Sequence, residues 1–338
     1  LELYLAFYAF WRNHGDRWFF WFIVSCFGEG FWGLLRYINR NIFKWNIEVL
    51  YYCYLDLSLG LRALCEVVTL CRLLGVIANK RVDLMFSLKK FREFARKHYD
   101  GWGLGWYKKS GHHGGYIACV FKEPIGALES KKYLELAKRV RSHIFVAHVR
   151  KASVGGRKYE NTHPFRSGKW IFAHNGTIDR ECLLGYLKNN YKRRLRGETD
   201  SEAFFYLILQ CIEEMGNVEE GIRIAISRAY KCDTSKQNFG LNFILSDGTK
   251  LYAFRYGRPE KKYRLYILRR PLEGVSIEKY SSETQVLIRM KLERGEKAIL
   301  ISSEPLTEDE EWIPIGLGKL VIIDEDLRVR ELEPISDY

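Results

Sequence analysis

No Cys-x-x-Cys pair occurs among the eight cysteines, and their spacing suits neither a zinc site nor a disulfide framework. No metal and no other cofactor is therefore expected. Cys119, Cys182 and Cys211 lie in apolar or mixed runs, where a small buried thiol is the ordinary state. Unpaired thiols fit the cytoplasm. Long apolar runs are missing too. The run 18–24 is bounded by Asp16, Arg17 and Glu29, and the stretch 49–64 holds Asp56 and Arg62, whereas a membrane helix needs about 20 mostly apolar residues. No signal-peptide pattern of basic start, apolar block and small-residue cleavage site is evident. There is no glycine-rich phosphate loop. Neither an internal repeat nor a long linker interrupts the chain after residue 70, so a single domain over 71–338 is expected.

What is present starts with charge. The formal net charge is +13, from 54 Lys and Arg against 41 Asp and Glu. Residues 1–70 are balanced: Arg12, Arg17, Arg36, Arg40, Lys44 and Arg62 stand against Glu2, Asp16, Glu29, Glu48, Asp56 and Glu66. The excess belongs to the remainder, where it is scattered through Lys/Arg-rich helical patterns. A gathered basic tract would favour nucleic acid or anionic membranes. A scattered one reads as a solvated face, so neither a specific nucleic acid nor a membrane is an expected partner.

Residues 1–70 differ in composition from the rest. They hold five of the nine tryptophans (positions 11, 18, 21, 32 and 45), many Phe and Tyr, and no proline or methionine. One reading is an interfacial anchor. The preferred one is that this segment is not part of the working protein but a non-native or poorly ordered extension. The chain opens on Leu1, as a frame opened at an alternative start codon would. Leu70 directly precedes Cys71, and prokaryotes initiate at some leucine codons. Glu66-Val67-Val68 can be encoded by GAGGTGGT, which resembles a ribosome-binding sequence. The expectation is a start at Leu70, removal of the initiating methionine, and Cys71 as the mature N-terminus.

From Cys71 onward the patterning alternates between strand and helix. Strands are expected at 71–78, 103–107, 115–121, 144–149 and 170–173, with Thr177-Ile178 following an Asn175-Gly176 turn. Apolar residues at helical spacing (Leu84, Leu88, Phe91, Ala95) mark 84–98, and helices are expected at 131–141, 200–214 and 218–231. Strand-like pieces return near 239–245, 251–256, 264–268, 298–302, 320–323 and 329–332. Strands, a helical layer and strands again indicate an α+β fold with two sheets packed between helices.

Five short pieces stand out in order: Cys71-Arg72-Leu73-Leu74-Gly75, His148-Val149-Arg150, Asn161-Thr162-His163-Pro164-Phe165, His174-Asn175-Gly176 and Glu198-Thr199-Asp200-Ser201. Together they resemble the glutaminase domain of class II glutamine amidotransferases. Those enzymes are N-terminal-nucleophile hydrolases that attack glutamine with a cysteine at the first position of the chain. Tyr99-Asp100-Gly101-Trp102-Gly103 resembles the family's loop beside the glutamine site. Ser302-Ser303-Glu304-Pro305-Leu306 and Trp312 resemble the end of its small stand-alone members. The resemblance spans Cys71 to about Ile323 and implies a four-layer αββα sandwich of two antiparallel sheets. Nothing after Asp200 looks like a synthase domain, so any ammonia acceptor would be bound by a separate subunit. The internal position of Cys71 departs from the family pattern.

The chemistry suits these residue types. A thiol is mostly protonated at neutral pH, and a chain-terminal amine, with a pKa of about 7.7–8.0, is a fitting general base on the same residue. Asn-Gly is the commonest hairpin turn, yet the resemblance implies that the Asn175 amide and the Gly176 N–H form an oxyanion hole. A strand-end arginine either pairs with a surface acid or, as implied for Arg150, grips a substrate carboxylate through two parallel hydrogen bonds. Ser153 falls where relatives carry a hydroxyl beside that carboxylate. Thr199 and Glu202 form a capping-box pattern, and the resemblance adds that Asp200 receives the substrate's α-ammonium. Trp102 walls the pocket or packs in the core. His163 and His174 read as supports for the turn, and His112 and His113 as loop residues.

The expected activity is glutamine amide hydrolysis or transfer, through a glutamyl thioester on Cys71. Two other readings stand beside it. One is a γ-glutamyl peptide amidohydrolase on the same fold, whose substrate Arg150 and Asp200 would hold identically. The other is a non-catalytic basic binding protein with a membrane-associating aromatic N-terminus.

Overall fold

The computed structural model describes residues 71–111, 114–152, 155–234, 238–271 and 279–334. The expectations for residues 1–70, His112, His113 and Ser153 lie outside the described residues. Strand β1 (Arg72–Val82) is followed by helix α1 (Met85–Glu93), then β2 (Gly101–Lys109), β3 (Tyr116–Glu123), α2 (Lys131–Arg139) and β4 (Ser142–Arg150). Next come β5 (Phe165–Ser167), β6 (Trp170–Asn175), α3 (Arg180–Tyr186), α4 (Asn189–Lys192), α5 (Asp200–Met215) and α6 (Val218–Lys231). The remainder holds β7 (Phe239–Gly240), β8 (Asn242–Ser246), β9 (Leu251–Phe254), β10 (Gly257–Arg258), β11 (Tyr266–Arg270), α7 (Ser282–Glu293), β12 (Ala298–Ser302), β13 (Ile313–Pro314), β14 (Leu320–Ile323) and β15 (Val329–Leu332).

Two large antiparallel sheets result. One has the order β13-β11-β12-β1-β4-β2-β3, the other β15-β14-β9-β8-β6-β5, and β7 and β10 form a small ribbon. The period-2 alternation of strands decides what lies on each face. In β1, Leu74, Val76 and Ala78 point outward into a core with α1 and α2, while Leu73 and Ile77 point inward. The inward side chains meet Ile171, Ala173, Ile244 and Leu251 of the second sheet. On that sheet's far face, Phe172, Phe243, Tyr252 and Phe254 pack under α5 and α6. The order of layers is helix, sheet, sheet, helix, an α+β sandwich of the αββα kind.

The helices that border the site begin and end on local chemistry. Thr199 caps α5 by accepting from the Glu202 N–H at 3.2 Å, and Gly216 ends it in the left-handed region at φ 61°. The capping box is only half made, because the Glu202 carboxylate reaches back to the N–H groups of Arg196 and Gly197 instead of Thr199. Helix α1 stops at Glu93 and gives way to a 3-10 turn over Phe94–Arg96, short of the expected 84–98. Helices α3, α4 and α7 lie outside the helices expected from the sequence. The Cys182 thiol is not free: it is disulfide-bonded to Cys232. The two lie 50 residues apart and meet because α3 and the end of α6 share the outer helical layer, a proximity that spacing along the chain does not encode. This removes one ground for the cytoplasmic expectation. Among the described residues no helix is long and apolar enough to cross a membrane.

Phe172 ties β6 to α5. Fully buried, it stacks on Phe205 at 5.2 Å and meets Phe204 edge-on at 5.9 Å. Phe172→Ala should cost about 3–5 kcal/mol in urea unfolding. Met290→Ala, at an exposed position, should stay within about 0.5 kcal/mol. Similar midpoints for the two variants would refute this account of the core.

Candidate active site

The site lies where the ends of two sheets come together. Antiparallel register sets Arg72 opposite Val149 and Gly101 opposite Arg150. Cys71, one residue before β1, therefore falls beside the end of β4. Its sulfur accepts from the Lys151 N–H and donates to the Lys151 carbonyl, each at 3.2 Å. Across the gap, Asn175 ends β6, and its side-chain amide donates to the Cys71 carbonyl at 2.6 Å. Burial pushes the Cys71 thiol up, while the Lys151 contact and the charges of Arg150 and Arg72 oppose that shift. Such a thiol needs a base before it can act as a nucleophile.

Asn175-Gly176 is not a hairpin turn. Asn175 pairs with Asn242 of β8, and the chain beyond Gly176 runs on into α3 rather than back as a strand, so Thr177-Ile178 is not a strand either. The glycine is required by crowding: a Cβ there would stand 1.9 Å from the Gly240 carbonyl oxygen. That oxygen also accepts from His174 Nε2 at 3.0 Å, while His174 Nδ1 lies 2.9 Å from Ser201 Oγ. A carbonyl only accepts, so Nε2 holds the proton and Nδ1 takes the Ser201 hydroxyl proton. His174 thus braces the corner from behind.

Asp200 is the first residue of α5 and is buried. One carboxylate oxygen accepts from the Ile178 N–H at 2.8 Å and the other from the Ser201 N–H at 2.8 Å, which pins the exit from Gly176 to the helix. Arg150, also buried, donates to the carbonyls of Gly155 and Gly156 at 3.0 and 3.1 Å. Burial lowers its pKa, and negative charge at Cys71, Asp100 and Asp200 works the other way, so all four groups share one electrostatic neighbourhood. Trp102 is not among them. It points to the outer face, packs on Tyr133 at 4.8 Å, and donates its N–H to Glu123 at 3.0 Å.

Several residues not assigned from sequence hold this arrangement. Asp100 accepts from the Ala152 N–H and from Arg157, anchoring the loop after Arg150. Asn161 accepts from the Glu198 N–H at 2.9 Å and donates to Gly156 at 3.3 Å, linking that loop to the start of α5. Ser303 accepts from the Leu73 N–H at 3.0 Å, and Glu304 pairs with Arg72, so the late Ser-Ser-Glu piece brackets the first strand. The order of the motifs is visible in sequence; these links are not. Among the described residues no three His, Cys, Asp or Glu side chains are grouped to hold a metal ion.

Behind the site, the rings of His148 and His163 lie 4.3 Å apart, tilted by 34°, and are buried. Burial holds both well below the ordinary histidine value of 6.5. Arg150 and His174 push both the same way, with His98 acting on His148 and Lys122 on His163. The unfolded chain takes up a proton on each imidazole as pH falls through 6.5 while the folded chain resists. Stability is therefore full above that value and declines below it, by up to about 1.4 kcal/mol per imidazole per pH unit. Urea unfolding at pH 7.5 and 5.5 should show this loss, and His163→Phe should reduce it. A profile that His163→Phe leaves unaltered would contradict the assignment.

Comparisons with known proteins give the family and the fold. The family model for class-II glutamine amidotransferases matches residues 70–333. An uncharacterized protein of Methanocaldococcus jannaschii is 31% identical over 287 residues, covering 79% of this chain and 73% of the relative. The γ-glutamyl-hercynylcysteine sulfoxide hydrolase of Mycobacterium tuberculosis is 35% identical over 85 residues, 25% of this chain and 34% of the relative. A solved glutamine aminotransferase class-II domain protein from Silicibacter pomeroyi shares the fold, with TM-score 0.53 and 21% identity, over 78% of this chain and 98% of that one. The chain belongs to the class II glutamine amidotransferase family.

Proposed function

We propose that the protein hydrolyses the side-chain amide of glutamine, with Cys71 as the nucleophile and the first residue of the mature chain, 71–338 being the working domain. The free α-amine of Cys71 takes the thiol proton, and the sulfur attacks the amide carbonyl carbon. The Asn175 amide and Gly176 N–H receive the resulting oxyanion. The tetrahedral intermediate collapses with protonation of the leaving nitrogen by the same amine, and ammonia departs. Water then attacks the glutamyl thioester and regenerates the thiol with release of glutamate. Arg150 holds the substrate α-carboxylate, and Asp200 holds the α-ammonium. Ammonia is either released or passed to an acceptor on a separate subunit.

The observation that supports this most is the Asn175 amide 2.6 Å from the Cys71 carbonyl, which brings an oxyanion donor to the backbone of the nucleophile. Arg150 and Asp200, of opposite charge, act on that same neighbourhood, as an amino-acid zwitterion requires. A γ-glutamyl amide with a larger leaving group presents the same zwitterion. The similarity to a γ-glutamyl-hercynylcysteine sulfoxide hydrolase favours that second substrate class.

Protein starting at Cys71 should release glutamate from glutamine or from a γ-glutamyl dipeptide, and the kcat/KM ratio chooses between them. A glutamine-analogue electrophile should label Cys71. Asn175→Ala should lower kcat about 100- to 1000-fold, or roughly 2.7–4 kcal/mol. Asp200→Asn should act mainly on KM. Absence of glutamate from either substrate class would reject the reading.

A further inference from the structure

Tyr263 lies in none of the motifs, yet it is 1% exposed and sits against Gly240, whose backbone packs on the Asn175-Gly176 corner from another strand. In the β7–β10 ribbon, Gly240 faces Gly257, and the Tyr263 ring lies across this glycine pair. A Cβ on Gly257 would stand 2.2 Å from the ring Cγ, and one on Gly240 would stand 2.0 Å from Cε1 and 2.5 Å from Cζ. The ring therefore runs from Gly257 at its root to Gly240 at its hydroxyl end. Gly240 in turn meets the corner three times. Its carbonyl accepts from His174 Nε2, its oxygen fills the space a Gly176 Cβ would take, and its N–H donates to the Thr177 carbonyl at 3.2 Å.

Tyr263 itself cannot shift freely. Its carbonyl accepts from the Arg255 Nε at 2.9 Å, and Arg255, also buried, donates on to the Ile315 carbonyl at 2.6 Å. The neighbouring Arg264 carbonyl accepts from Asn242, the residue paired with Asn175 in the sheet. Gly240 is thus held between a fixed aromatic plate and Gly176.

We propose that Tyr263 is a positioning residue for the oxyanion site: its ring sets the place of Gly240, and Gly240 sets the place of the Gly176 N–H and the Asn175 amide. This rests on the reading of those two groups as oxyanion donors. The phenol is pushed up to about 12, first by burial and then by negative charge at Asp200 and Cys71, so it stays neutral at working pH while lying near both groups. Bare glycines at 240 and 257 and an aromatic at 263 form one unit, since any side chain at either glycine would displace the ring.

The test uses the active protein with Tyr263→Phe, Tyr263→Leu, Tyr263→Ala and Gly240→Ala, each checked by its melting temperature. Tyr263→Phe should keep kcat within about threefold, because it keeps the plate. Tyr263→Ala, or Tyr263→Leu should the alanine variant fail to fold, should lower kcat by up to about 100-fold, as expected for misplaced donors. KM and the rate of Cys71 alkylation by iodoacetamide should be nearly unaltered. Gly240→Ala should match the loss. Unaltered kcat in the Ala and Leu variants, a parallel change in kcat and KM, or a loss in Tyr263→Phe as large as in Tyr263→Ala would overturn the proposal. Wild-type protein that releases no glutamate would instead overturn the functional reading beneath it.

Discussion

The hydrogen bond from the Asn175 amide to the Cys71 carbonyl crosses from one sheet to the other, and the arrangement of the site follows from what makes that crossing possible. The two sheets have to meet at a common end, with β1 central in one and β6 near the edge of the other. Their inner faces are apolar and mate through Leu73, Ile77, Ile171 and Ile244, so burial of this layer sets the spacing at which a side chain of one sheet reaches the backbone of the next. Polar groups then fix the ends. Asp200 and His174 tie the Asn-Gly corner to α5 and to Gly240. Asp100 and Asn161 tie the Arg150 loop to its neighbours. Of these, Asp200, His174 and Asn161 are buried, and each is satisfied by backbone or side-chain partners, as a low-dielectric setting demands.

That setting shapes the electrostatics. The same burial raises the Cys71 thiol and lowers Arg150 and the histidines behind it. Burial keeps the imidazoles around the site neutral, and the proposed reaction therefore needs a base close to the sulfur. None of the buried histidines has a hydrogen bond to the thiol among the contacts of the described residues. In the proposed reaction the chain-terminal amine of a mature Cys71 is that base, and no second side chain is needed.

Much of this was legible in the sequence, and the parts that were not share a cause. The helices over Asp200–Met215 and Val218–Lys231 were readable almost to the residue, because Thr199, Gly216 and Asn217 act through local caps. The strands of β1, β4 and β6 were readable from apolar runs. The face of Trp102 was not: β2 is buried on both sides over most of its length, so polar alternation is absent and nothing local tells inward from outward. Asn175-Gly176 has the chemistry of a hairpin, but the contact with Gly240 from 64 residues further on overrides it. The Cys182–Cys232 pair and the Tyr263–Gly240–Gly257 unit likewise exist only once distant segments have packed. Ser303 and Glu304 were recognisable as a motif while their purpose, gripping the first strand, was not.

That grip has a consequence for how the protein is made. The strand that starts at Arg72 lies between β4 and β12, and its outer fastening, Ser303 to Leu73, joins residues 230 positions apart. On the ribosome the cysteine end emerges long before its second neighbour exists. Half of its edge must stay unpaired until nearly the whole chain has been synthesised, so assembly of this end of the sheet is a late, long-range event. An interrupted or shortened polypeptide would present that open strand to other molecules instead of to its own C-terminal half.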